Sequence, residues 1–64
     1  MDREKMVELR KAAGLTQEEL ARQIGVSESM VSFYENGLKE PTIAKLHQIA
    51  AVLGCQAKDL IREV

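Results

Sequence analysis

Between Ile24 and Ser27 the chain has only two residues, Gly25 and Val26, in which to stop one helix and start another. No other feature constrains the fold so tightly. Upstream, Thr16-Gln17-Glu18-Glu19 has capping-box spacing: the Thr hydroxyl takes the Glu19 amide and the Glu19 carboxylate reaches back. Leu20, Ala21 and Ile24 then form one apolar helical face. Downstream, Ser27 is a good N-cap, and Val31 and Tyr34 point inward on a helix running to about Glu35. So short a connector makes the two helices cross steeply. The crossing needs a small residue at the contact, and Ala21 supplies it. The bend needs a residue that accepts positive φ, and Gly25 supplies it. Leu20, Ile24, Val26, Val31 and Tyr34 provide apolar inner faces.

The rest of the chain follows the same punctuation. Gly14, Gly25, Gly37, Pro41 and Gly54 fall between segments of helical periodicity, and no stretch alternates like a strand. A first helix is expected from Asp2 or Arg3 to Ala13, with Met6, Leu9 and Ala13 on one face. Asn36-Gly37 ends the third helix and Leu38 to Pro41 forms a loop. Thr42 caps a fourth helix reaching Leu53, with Ile43, Leu46, Ile49, Ala50 and Leu53 at core spacing. A short fifth helix, about Ala57 to Arg62, offers Leu60 and Ile61. Its start has Gln56 or Ala57 where a Ser would cap more strongly. The fold expected is all-α, five short helices in one domain spanning residues 1–64.

Composition narrows the function. At 64 residues and 45% apolar, the chain supports one small core and little cleft. One Cys and one His exclude an internal disulfide and a structural zinc site. His47 is an isolated candidate base, so catalysis is not expected, nor is a metal or cofactor. No apolar run approaches a membrane span, and the mixed-charge N-terminus leads into no signal core. A cytoplasmic protein is the expectation.

The tight bend corresponds to the helix-turn-helix arrangement, and the surrounding residues resemble the phage repressor and Cro-like helix-turn-helix family, the xenobiotic-response-element regulators. The resemblance is carried by Leu9-Arg10, Gly14 to Ala21, Ile24 to Ser27, Val31-Ser32, Tyr34 to Gly37, Pro41-Thr42, Leu46, Ile49-Ala50 and Leu53-Gly54. It implies a five-helix, lambda-repressor-like domain that binds a double-stranded DNA operator, usually as a symmetric homodimer. The second helix of the pair becomes a recognition helix for the major groove.

On that reading Ser27 aims the recognition helix, and Glu28, Ser29, Ser32 and Phe33 face outward. Family members often carry Gln at the position of Glu28. A carboxylate only accepts hydrogen bonds, so Glu28 favours the cytosine amino group. Ser29 and Ser32 suit bases or phosphates, and Phe33 suits a thymine methyl. Gln17 resembles the family's phosphate-contacting Gln, at a helix end whose free amides also favour phosphate. Asn36, Gly37 and Lys39 extend the phosphate contacts. Arg10 and Glu35 resemble an ion pair tying the first helix to the third, with the Arg10 guanidinium available to a phosphate or serving structure alone.

Charge counts against the electrostatic part of this reading. The whole chain carries −1. From Thr16 to Lys45, the half expected to face DNA, Arg22, Lys39 and Lys45 stand against Glu18, Glu19, Glu28, Glu35 and Glu40. Leu38 occupies a place near which the family often has Lys or Arg. The alternative is a protein-interaction module on the same fold, using Phe33, Leu38 and nearby acids. Val52, Cys55, Ile61 and Val64 are apolar positions outside the core pattern and are the expected dimer surface. With no ligand domain, regulation falls to concentration, proteolysis or a regulatory protein partner.

Overall fold

Each of the four helices starts on a short polar side chain that accepts an amide of its first turn. In the computed structural model, which describes residues 1–61, these caps are Asp2, Thr16, Ser27 and Thr42. They open α1 (Arg3–Ala12), α2 (Gln17–Ile24), α3 (Glu28–Asn36) and α4 (Ile43–Leu53). A 3-10 turn, Ala57–Leu60, closes the described chain, which holds no strand. None of these helices is long and apolar enough to cross a membrane.

The capping box of α2 forms as the spacing predicts. The Thr16 hydroxyl accepts from the Glu19 amide at 3.0 Å, and the Glu19 carboxylate accepts from the Thr16 amide at 2.9 Å. Gly25 ends α2 at φ 73°, and the Val26 amide closes the bend onto the Ala21 carbonyl at 3.0 Å. That conformation strains any residue with a Cβ, which is why glycine stands there.

Met6, Leu20, Val31, Ile49 and Leu60 are fully buried and join the four helices to the final turn. Ala21 is buried at the α2–α3 crossing and Tyr34 closes the core from α3. α2 packs on α3 and α4, while α1 packs on α3 and the 3-10 turn. The backbone joins the two ends of this layer, because the Asp2 amide donates to the Leu60 carbonyl at 2.7 Å.

Four expectations need correction. Ile43 was placed in the core by periodicity, yet it is 70% exposed. It is the first residue of α4, and the buried face of that helix begins at Leu46. Ala13 is exposed because α1 stops at Ala12 and leaves it as the C-cap. Ile61 is exposed and lies beyond the last turn, which is a single 3-10 turn in place of the five-to-six-residue helix expected. Arg62, its expected end, lies outside the described residues, as does Val64. Val52 and Cys55, expected outside the core pattern, are half-buried and pack against the core. In place of a Ser cap, the Asp59 carboxylate accepts from the Gln56 amide at 3.0 Å.

Candidate nucleic-acid interface

α3 packs on α2 and α1 and keeps one side uncovered. Glu28, Ser29, Ser32 and Phe33 lie along it, and together with Gln17 from the first turn of α2 they line one open groove. Five of the nine residues expected at the site thus share a surface. Phe33 is 38% exposed there, an apolar ring among carboxylate, hydroxyl and amide groups. Ser27 stands at the head of the same helix. Its hydroxyl accepts from the Met30 amide at 3.2 Å, so its side chain is occupied in capping.

Asn36 continues the row at the far end of α3. Its Nδ2 donates to the Ser32 carbonyl at 2.9 Å and the Ser32 hydroxyl at 3.2 Å. Lys39 is exposed in the following loop. The amides of Leu38 and Lys39 both turn inward to the Phe33 carbonyl, at 2.9 and 3.3 Å. The Gly37 amide donates to the Tyr34 carbonyl at 3.3 Å. Three successive loop amides are therefore committed to finishing the helix, and an anion at this loop must be met by side chains.

Behind α3 lies a buried polar knot. Arg10 Nε donates to Glu35 Oε2 at 2.7 Å and Nη2 to Oε1 at 3.2 Å, the forked geometry suited to guanidinium and carboxylate. Arg10 Nη1 donates to the Leu15 carbonyl at 2.8 Å. Arg10 is only 9% exposed, so its main contacts brace α1 against α3 and the α1–α2 turn. Glu35 Oε1 also accepts from Gln17 Nε2 at 3.0 Å. Since a carboxylate can only accept, this contact directs the amide nitrogen of Gln17 inward and fixes which way round the amide lies. No buried side-chain nitrogen or oxygen among the described residues lacks a partner.

Contacts tie up charge of both signs on this face, Glu35 on Arg10 and Glu40 on the N-terminal ammonium among them. Arg22 is paired to Glu18 at 3.0 Å on the exposed side of α2. Lys45 Nζ reaches from α4 to the Ile24 carbonyl at 2.7 Å, where a cation suits the helix C-terminus. Of the three cations counted, Lys39 alone has no ion pair or helix-end contact among the described residues.

Sequence reasoning missed the contacts made by Lys45, by Arg3 and between Gln17 and Glu35. These span 21, 33 and 18 residues, and no local spacing signals them. Burial pushes the Cys55 thiol up, which favours its protonated form. His47 is exposed and lies in a second groove with Cys55. The described residues hold no group of three or more His, Cys, Asp or Glu arranged for a metal.

A helix-turn-helix family model matches residues 6–60, the span from the first buried methionine to the last buried leucine. The chain belongs to the helix-turn-helix family, of the Cro/C1 type found in DNA-binding transcription regulators. It is 36% identical over 66 residues to an HTH-type transcriptional regulator of Sinorhizobium fredii, covering 95% of this chain and 86% of that one. It is 45% identical over 47 residues to one of Methanothermobacter thermautotrophicus, covering 73% and 68%. Among solved structures, a helix-turn-helix family transcriptional regulator from Vibrio cholerae superposes with a TM-score of 0.80 at 34% identity. That match covers 92% of this chain but 33% of the Vibrio protein, so the present chain spans about a third of its length.

Proposed function

We propose that this helix-turn-helix protein is a sequence-specific transcriptional repressor that reads duplex DNA through the outer face of α3. The observation carrying this reading is the single open groove that gathers Gln17, Glu28, Ser29, Ser32 and Phe33. Glu28, Ser29, Ser32 and Phe33 contact base edges, with Glu28 selecting a cytosine amino group. Lys39 meets a phosphate, as do Gln17 and Asn36 once their amide donors turn from Glu35 and Ser32. Ser27 sets the helix start, and Arg10 acts through Glu35 to hold the helix angle. Two copies bind a palindromic operator, their recognition helices in successive major grooves about 34 Å apart, and the bound dimer occludes polymerase in the cytoplasm. A regulatory protein partner supplies the control.

The testing experiment is selection from randomised duplex, followed by sizing of the complex. An enriched palindrome bound by two copies is expected, and Glu28→Gln should change the preferred base at one position. No enrichment, with no salt-sensitive binding to mixed duplex, would reverse the reading. The protein-interaction alternative then gains, since Phe33 and Leu38 are exposed beside an excess of carboxylates.

A further inference from the structure

The loop after α3 poses a problem that its own residues do not solve. Helix-turn-helix docking brings the end of the recognition helix toward the DNA backbone. Here the Leu38 and Lys39 amides are bonded inward to α3, and the nearby carboxylates of Glu35 and Glu40 are already paired, to Arg10 and to the N-terminal ammonium. Its own sequence offers one free cation, Lys39.

A second cation arrives from the other end of the chain. Arg3, the first residue of α1, donates from Nη1 to the Asn36 carbonyl at 3.0 Å. Its side chain lies flat over Gly37: a Cβ built there would collide with the Arg3 guanidinium and touch its Cδ. Arg3 is exposed and has no ion pair among the described residues. One of its donors is taken by the carbonyl, and the residue as a whole remains exposed. The contact also extends the recognition row, because Asn36 is bonded to Ser32 and Ser32 lines the groove. Glu4, Glu8 and Glu35 line a groove with Arg3, so an anion must meet the guanidinium outside that groove.

We infer that Arg3 is a DNA-contacting residue, supplying from α1 the phosphate-binding charge that the loop after α3 lacks. Gly37 is then doubly constrained. It holds a left-handed backbone, and it leaves the space through which the guanidinium reaches the helix end. The inference rests on the DNA-binding reading above.

Salt dependence separates a phosphate contact from a helix cap. The full chain is titrated with a mixed-sequence DNA duplex at several salt concentrations, beside thermal melting of each variant. Arg3→Gln should lower the slope of log affinity against log salt by about 0.9 per protomer. Arg3→Lys should keep the slope, because it keeps the charge. Lys5→Gln removes the same charge from a residue on the other side of α1, near Cys55, and should leave the slope unchanged. Gly37→Ala, if it melts cooperatively, should reproduce the Arg3→Gln slope with Arg3 still present. An Arg3→Gln protein that melts lower yet keeps the wild-type slope would reduce Arg3 to a cap and overturn the inference alone. Equal losses from Arg3→Gln and Lys5→Gln would overturn it as a mere net-charge effect. Wild-type protein that binds no duplex at all would overturn the inference together with the reading beneath it.

Discussion

The two ends of α3 use the same backbone device for different reasons. Gly25, before its entry, and Gly37, at its exit, are both left-handed, at φ 73° and 76°. A Cβ added at Gly25 meets nothing within 4 Å, while one added at Gly37 runs into Arg3. Entry is governed locally: the Gly25 and Val26 amides both close on the Ala21 carbonyl, and Ser27 caps α3 two residues after Gly25. Exit is held from a distance, by Arg3 on the Asn36 carbonyl and by Arg10 on Glu35. A recognition helix thus takes its position from adjacent sequence at one end and from α1 at the other.

The largest expected effect breaks the exit. Glu35→Ala removes the carboxylate that Arg10 and Gln17 share and leaves a guanidinium buried without its counter-charge. A loss of about 3–5 kcal/mol is expected, read by chemical denaturation. A loss near that of an exposed ion pair would mean that packing, not the pair, fixes the exit. Next comes the entry. Ala21→Leu forces a larger side chain into the fully packed α2–α3 crossing. It should cost about 1–3 kcal/mol by overpacking, and wild-type melting would contradict so close a crossing.

The glycines give the sharpest test of the comparison. Gly25→Ala should cost about 1–2 kcal/mol, the strain of a left-handed Cβ with open space around it. Gly37→Ala should cost slightly more, since its Cβ also pushes the flexible end of Arg3 off the Asn36 carbonyl, and that small excess should vanish in an Arg3→Ala background. Equal costs in the wild-type background would remove Arg3 from the exit.

The same contrast explains what could be read from the sequence. Caps, stops and the α2–α3 bend follow from residues within one or two turns of each other, so Thr16, Gly25, Ser27 and Thr42 all announce themselves. The outer face of α3 follows too, because fixing Val31 and Tyr34 inward leaves Glu28, Ser29, Ser32 and Phe33 on the other side. Ile43 shows where periodicity stops being informative. It matches the phase of Leu46 and Ala50, but phase does not report whether another element reaches the first turn of α4. The side chain that does bridge from that turn to α2 is Lys45, by its ammonium. Arg3 was unreadable for a related reason. A lone arginine in a charged N-terminal segment looks like a solvated residue until the fold brings the end of α3 beside it.

The smallest effect concerns acid, and it belongs to the entry helix. Glu19 closes the α2 capping box, and its hydrogen bonds from the Thr16 backbone and then side chain hold its carboxyl below the usual glutamate value. The unfolded chain therefore takes up this proton first as pH falls. The stabilisation is complete above the ordinary glutamate range and is lost as pH drops through the lowered folded value. The site is exposed, so the shift in melting temperature should be slight. Glu19→Gln keeps a capping-box side chain but cannot titrate. Its melting temperature should fall less steeply than wild type between neutral and acid pH, the two curves converging at the acid end. Parallel curves would show that the box contributes no charge-dependent stability.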